Sequence, residues 1–277
     1  MMNLMTSIYA NSENDVAVQS AETTSQSITP QPITTQALEI LYQDEEIIAV
    51  NKPAGWFVHR SLLDPKVTDI VLQHLRDQVG RYLYPIHRLD RPTSGVLLFA
   101  FTEESARILS QLWQENRVTK RYLAIIRGYL TDSGEINEPL TVMKDKIADR
   151  YEGIKEAQEA HTFYRGIDTV ELPLSTGKYP TSRYSLVELR PETGRKHQLR
   201  RHMNHIAHPI VGDTTHGDLR HNRLFSTHYG VDRLLLHAYQ LEIIHPTQKT
   251  TLIITAPFDN LWITLLTALG WKNPISI

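Results

Sequence analysis

The 277-residue chain contains no cysteine. Disulfides, thiol nucleophiles and thiolate metal sites are thereby excluded, and the absence fits a reducing cytoplasm. No apolar run approaches the roughly 18–20 residues of a membrane-spanning helix, so no membrane partner is expected. No Lys or Arg occurs before Lys52. A secretory signal needs a positive leader and a transit peptide needs arginines, so neither is expected in this N-terminus. Gly-x-Gly-x-x-Gly, Asp-Phe-Gly and the Walker lysine motif are missing as well, which argues against nucleotide-driven phosphoryl transfer.

The composition, 41% hydrophobic and 22% charged, places the chain among globular proteins of one large domain or two small ones. Its net charge of −2 conceals an asymmetry. Residues 1–50 carry seven acids: Glu13, Asp15, Glu22, Glu39, Asp44, Glu45 and Glu46. Taking these away leaves 24 acids against 29 basic residues in 51–277, a balance of +5, and all 13 histidines lie there too. A mildly basic body with an acidic front is compatible with a polyanionic ligand.

Residues 1–36 are rich in Ser, Thr, Gln, Asn and Pro, lack periodicity, and are expected to form a disordered tail ahead of one domain over 37–277. Order is expected from Ala37. Leu38–Tyr42 and Ile47–Asn51 read as paired strands around the turn Gln43–Glu46, stopped by Lys52-Pro53-Ala54-Gly55. Helical spacing covers 67–79 and 103–116, and helices are also expected over 196–206 and 258–269. Strands are expected over 119–128 and near 160–169, 183–190, 233–244 and 249–256; the charged stretch 140–160 is the least legible. Strands outnumber helices and do not alternate with them, which argues for an α+β fold with a mixed, largely antiparallel sheet.

Three segments carry chemistry. In His87-Arg88-Leu89-Asp90-Arg91-Pro92-Thr93-Ser94-Gly95, a carboxylate sits between two arginines on a turn stiffened by Pro92. The apolar run Val96–Phe101 then reads as a buried strand, so Asp90 is held on a rigid loop, as acid–base or nucleophilic chemistry requires. The ordinary alternative is a surface ion-pair cluster. In Lys120-Arg121-Tyr122-Leu123-Ala124, strand alternation puts Tyr122 on one face, where it either packs in the core or stacks on a nucleobase. The third segment, Leu189-Arg190-Pro191-Glu192-Thr193-Gly194-Arg195-Lys196-His197-Gln198-Leu199-Arg200-Arg201-His202, is strongly cationic. It is either a solvated basic helix or a source of a cation, Arg200, that keeps Asp90 ionised and aimed in a desolvated cleft. His202 and His205 share a helical face, but no His-Glu-x-x-His occurs and four cations crowd the turn, so no metal site is expected.

These segments resemble the RluA-type pseudouridine synthases. The signature His-Arg-Leu-Asp-x-x-Thr-Ser-Gly is complete at 87–95, and Asn51-Lys52-Pro53-x-Gly55, Lys120-x-Tyr122-x-Ala124, the 191–200 segment and His208-Pro209-Ile210-Val211-Gly212-Asp213 also match. The resemblance covers the chain from about residue 38 onward. It implies the pseudouridine synthase fold, a curved sheet with flanking helices and a central cleft. It also implies Asp90 as the catalytic residue, Tyr122 against the target uracil, Arg200 against Asp90, and Arg88 filling the space of a uridine flipped from its helix. The implied reaction breaks the N1–C1′ bond, turns the base and rejoins it through C5, an isomerisation that needs no cofactor. Whether Asp90 attacks C1′ or C6, or takes a sugar proton, is left open by the sequence. Ribosomal-RNA members carry Gly-Asp-x-x-Tyr-Gly where this chain has Gly212-Asp213-Thr214-Thr215-His216-Gly217. The run His216–Arg223, together with 55–61 and 183–189, resembles a tRNA-modifying subgroup that acts on uridine 65. The expected partner is therefore tRNA, bound by a monomer. The alternatives are a synthase acting on ribosomal RNA and an inactive RNA-binding protein of the same fold.

Overall fold

The computed structural model describes residues 37–59, 68–142 and 156–275. The tail expected over 1–36 and much of the 140–160 stretch lie outside the described residues. The opening hairpin forms as its alternation predicts, from β1 (Ile40–Gln43) and β2 (Ile47–Lys52). Asp44 shapes its turn, with Oδ1 accepting from the amides of Glu46 and Ile47 at 2.8 and 2.9 Å. Helix α1 (Val71–Val79) stops where Gly80 adopts φ 65°, and β3 (Tyr84–Pro85) and β4 (Ser94–Ala100) follow. Helix α2 (Glu103–Gln114) starts at Thr102, whose hydroxyl accepts from the Ser105 amide, a capping bond that stabilises by about 1 kcal/mol.

The remaining elements are β5 (Thr119–Arg127), β6 (Ser133–Asn137), β7 (His161–Leu172), β8 (Ser182–Pro191), α3 (Gln198–His205), α4 (Leu219–Tyr229), β9 (Leu236–Ile244), β10 (Thr251–Thr255) and α5 (Asn260–Ala268). Among the described residues the strands form one ten-stranded sheet in the order β1-β2-β4-β9-β5-β8-β7-β6, with β10 beside β9 and β3 beside β4. Among the strands of the described residues, β4 and β9 form the one parallel pair, through Ser94–His237 and Gly95–Ala238; the other pairs are antiparallel. The expected α+β class and mixed, largely antiparallel sheet are what the chain forms.

Helices cover the sheet with four apolar clusters. Val71 and Leu75 of α1 pack on Ile48, Val50, Leu97 and Phe99, and Leu199 and Met203 of α3 pack on Ala124, Ile126, Val187 and Leu189. Leu109 and Leu112 of α2 pack on Ile47, Ala49, Val96 and Leu98, and Phe225 of α4 with Trp262 and Leu265 of α5 packs on Ile125, Tyr184 and Leu186. Tyr122 packs against both the α1 cluster and the α3 cluster and so marks the seam between them.

The sequence reading omits β3, β6 and α4. Helix α4 escaped because its buried side chains, Leu224 and Phe225, are adjacent in sequence, while Leu219 points outward and stays 67% exposed. No helical period of apolar residues exists there to be read. The helix stands on its ends: Asp218 accepts from the Arg220 amide at 3.0 Å, and Gly230 closes it with φ 66°.

Gly95, the last residue of the signature at 87–95, has φ 113°, and a Cβ there would lie 2.1 Å from the Ala238 carbonyl oxygen. The single parallel contact of the sheet therefore requires glycine. Gly95→Ala is expected to cost about 3 kcal/mol or more, combining backbone strain with overpacking against a neighbouring main chain. Denaturant unfolding should show a lower midpoint with an unchanged slope; a loss below about 0.5 kcal/mol, the size of an ordinary surface substitution, would contradict the close approach.

Candidate active site

The loop that carries Asp90 is stapled to the Lys52–Gly55 turn. Lys52 is fully buried and its Nζ donates to the carbonyls of Pro53, Trp56 and Arg91 at 2.8, 2.9 and 3.1 Å. The Gly55 amide donates to the Arg91 carbonyl at 2.8 Å, and Arg91 Nε returns a bond to the Gly55 carbonyl at 2.9 Å. The Arg91 guanidinium lies over the Phe57 ring. Within the loop, the Thr93 amide donates to the Asp90 carbonyl at 3.0 Å, and Leu89 is buried in the α1 cluster. The surface ion-pair alternative does not form, because neither Arg88 nor Arg91 pairs with Asp90 among the described residues. Arg88 is exposed at the edge of the cavity.

Arg200 does approach Asp90, with Nη1 3.3 Å from Oδ2. Its stronger partner is Asp213, which sequence reasoning passed over: Nε and Nη2 donate to the two Asp213 oxygens at 2.7 and 2.8 Å. Asp213 also accepts from the amides of Thr215 and His216, both at 2.9 Å. Burial raises the Asp213 pKa, but the bonds from Arg200 and these amides outweigh it and hold it below the usual range. Burial likewise pulls Arg200 down, and the bond and charge of Asp213, followed by those of Asp90, push it above its ordinary value. A two-point grip by a buried carboxylate fixes the guanidinium plane and turns Nη1 toward Asp90.

The segment at 191–200 is thus not a solvated basic helix. Gln198, Leu199, Arg200, His202 and Met203 of α3 are buried. Arg195 donates to the Glu159 carbonyl and Arg201 to the Thr141 carbonyl and hydroxyl. Gln198 joins β7 to the loop, donating to the His161 carbonyl and Thr162 hydroxyl and accepting from the Arg195 amide and Thr193 hydroxyl. His202 spends both ring nitrogens on Thr162 and the Glu138 carbonyl, each at 3.0 Å, which explains it without a metal.

A cavity of about 470 Å³ opens over these groups, lined among others by His87, Arg88, Asp90, Lys120, Tyr122, His197 and Arg200. The volume suits a small organic ligand, for which roughly 300–1,000 Å³ is usual. The four residues expected at the site therefore share one cavity. Burial first, and then the Asp90 charge, pushes the Tyr122 phenol well above its ordinary pKa, so it stays neutral. His87 stacks on Trp113 at 4.8 Å and accepts from the Leu98 amide; burial and Lys120 drop it to about 3. Burial takes Lys120 down to about 8, against the pull of Glu192. His197, in the left-handed region at φ 56°, bonds to His216 through Nδ1 at 2.9 Å and turns Nε2 to within 3.9 Å of Asp90.

The sequence profile of RNA pseudouridylate synthases matches residues 46–205. The tRNA pseudouridine synthase C of Haemophilus ducreyi is 54% identical over 234 residues, covering 84% of this chain and 96% of that one. The protein of the same name from Pectobacterium carotovorum subsp. carotovorum is 53% identical over 237 residues; the match covers 85% of this chain and 63% of that longer relative. The structure of human RNA Pseudouridylate Synthase Domain Containing 4 superposes with a TM-score of 0.63 at 27% identity, over 86% of this chain and 95% of that one. The chain belongs to the RNA pseudouridylate synthase family, and so to the isomerases.

Two outcomes follow from the buried charges. Asp213→Asn should cost about 3–5 kcal/mol, because it leaves a buried guanidinium without its main counter-charge. Asp90→Asn should cost less than about 1 kcal/mol, since Asp90 is partly exposed and holds a single longer contact. Equal losses in denaturant unfolding would refute this ranking.

The second outcome concerns Lys52. Burial, helped by Arg233 and Arg91 and opposed by Asp90, lowers its pKa to about 7. An unfolded lysine holds its proton to about pH 10.4. Between those values the unfolded chain binds more protons, so stability should rise with pH from about 7 to about 10. That rise should be reduced in Lys52→Met; parallel stability–pH curves for the two proteins would refute it.

Proposed function

We propose that the chain converts a uridine of tRNA to pseudouridine with Asp90 as the catalytic carboxylate. The observation that carries the reading is Asp90 itself: it stands on a stapled loop, at the wall of a cavity, faced by a guanidinium that Asp213 holds in place. Tyr122 supplies an uncharged aromatic wall for the uracil, since a phenol raised in pKa does not ionise against Asp90. The reaction breaks N1–C1′, forms C5–C1′, removes a proton from C5 and places one on N1. It balances without oxidant, reductant or leaving group. Fixed charges around the reacting nucleotide cost no reorganisation when it reacts.

The finer assignment, uridine 65, rests on the runs His216–Arg223, 55–61 and 183–189; the names of the relatives support tRNA as the substrate. A stem uridine must leave its helix, which costs a few kcal/mol. Arg88 is the residue assigned to occupy the vacated space, because it is exposed at the cavity edge and free of ion pairs among the described residues. One copy suffices, since one chain supplies Asp90, Tyr122, Arg88 and Arg200, and action in the cytoplasm agrees with the lack of cysteine.

Asp90→Asn should lower pseudouridine formation in tRNA transcripts by at least about 100-fold while tRNA binding is retained. Arg88→Ala should slow folded tRNA more than a short single-stranded RNA bearing the same uridine. Single-turnover rates with site mapping decide both. Activity of Asp90→Asn near wild type removes its catalytic role, equal slowing by Arg88→Ala removes the flipping role, and product elsewhere than residue 65 corrects the target.

A further inference from the structure

The net reaction takes a proton from C5, and few groups in the cavity can receive it. Arg88 and Arg200 are permanently protonated. The Tyr122 phenol is held neutral and is a weak base. His87 already uses its Nε2 lone pair to accept from the Leu98 amide, which leaves an N–H on its other nitrogen. Lys120 directs its ammonium at the carbonyls of Glu192 and Thr193. Asp90 has the proposed role of catalytic carboxylate and is faced by the Arg200 guanidinium. His197 differs from all of these. Its Nδ1 is tied to His216 Nε2 at 2.9 Å, and its Nε2 faces the cavity, 3.9 Å from Asp90 and bonded to nothing among the described residues.

We propose that His197 is the base that removes the C5 proton, and that His216 is a positioning residue that fixes its tautomer. The inference rests on the uridine-isomerase reading of the same site. When His197 Nδ1–H donates to His216, the Nε2 lone pair points into the cavity. The C5–H bond breaks, its electron pair restores the C5–C6 double bond, and the proton lands on Nε2. The resulting imidazolium faces the Asp90 carboxylate on one side and His216 on the other, then returns its proton to solvent. Burial first, followed by Arg200, His216 and Lys196, and against the pull of Asp90, lowers His197 to about 4, so its lone pair is free at neutral pH.

The backbone supports the assignment. His197 is a non-glycine residue at φ 56° immediately before α3. Strain of this kind persists where surrounding structure enforces it and clusters at functional sites. Here the enforcing bonds are Gln198 N–H to the Arg195 carbonyl at 3.0 Å and Arg201 N–H to the His197 carbonyl at 2.9 Å.

The test is single-turnover conversion of tRNA carrying hydrogen or deuterium at C5 of the target. His197→Asn is the informative variant, since Asn tolerates the left-handed region but cannot take a proton. It should react about 100- to 10,000-fold more slowly, with a larger C5 isotope effect than wild type and unchanged tRNA binding. His216→Phe, which removes the acceptor, should slow the reaction about 10-fold, as an indirect residue does more weakly than the base itself. His216→Gln, whose carbonyl accepts from Nδ1, should restore most of the rate. A wild-type rate in His197→Asn, slowing without a rise in the isotope effect, or identical behaviour of Phe and Gln at 216 each overturns the assignment. Wild-type protein that makes no pseudouridine in tRNA ends the tRNA reading and this assignment together. Active wild type with unaltered variants ends the assignment alone.

Discussion

The buried pair of Arg200 and Asp213 is the interaction on which the site depends. Arg200 lies on the buried face of a short helix, between Leu199 and Met203, and a lone guanidinium there would be costly. Asp213 answers both of its forward donors and is in turn satisfied by the amides of Thr215 and His216. The pair therefore sets the rotation of the guanidinium before any substrate arrives. Asp90 lies 3.3 Å from Nη1 of the same guanidinium. Geometry divides the contacts: two close bonds to Asp213 anchor the cation, and one longer contact leaves the Asp90 carboxylate only loosely held.

The other half of the constraint is the loop. Lys52 is a buried amine whose three donors are matched by three carbonyls, one of them on Arg91, next to Asp90. Gly95 then brings β4 against the Ala238 main chain with no room for a side chain. Asp90 is thus fixed from the hairpin side by Lys52 and from the sheet by Gly95, while Arg200 arrives from α3. Three separate parts of the sequence meet at one carboxylate, and Tyr122 sits on the seam between the two apolar clusters that carry them.

Much of this was legible in the sequence, because the motifs are contiguous. A nine-residue signature running into an apolar strand states that Asp90 is held by a rigid loop, and the strand alternation around Tyr122 states its face. What stayed hidden depends on contacts between distant segments. Asp213 is one carboxylate among 31 acidic residues, and nothing in its neighbours announces a partner thirteen residues earlier. The cationic run at 195–201 left two readings open, a solvated basic helix and an Arg200 turned toward Asp90, and the contacts favour the second: Arg200 is buried, and Arg195 and Arg201 bond to backbone oxygens. Helix α4 was missed because its ends carry the signal while its apolar positions have no helical period.

Charge in the cavity is arranged by depth. Lys52, Lys120, His87 and His197 are all basic residues, and burial lowers the pKa of each. Along the cavity wall, then, the two histidines are neutral and the charged form of Lys120 is weakened, as it is in Lys52, which staples the Asp90 loop. Arg200 remains as the fully committed cation, matched against Asp213 and Asp90. Exposed cations, Arg88 and Lys196 among them, stand nearer solvent. Such a gradient suits a ligand that is anionic along its backbone and uncharged at its reacting ring: phosphates find free cations at the rim, whereas uracil meets neutral walls and one fixed ion pair. In a desolvated site, extra free cations beside the ring would compete with the substrate for Asp90. The low net charge of the whole chain is therefore no argument against a polyanionic ligand, because local charge at the cavity edge, Arg88 included, matters more than the sum.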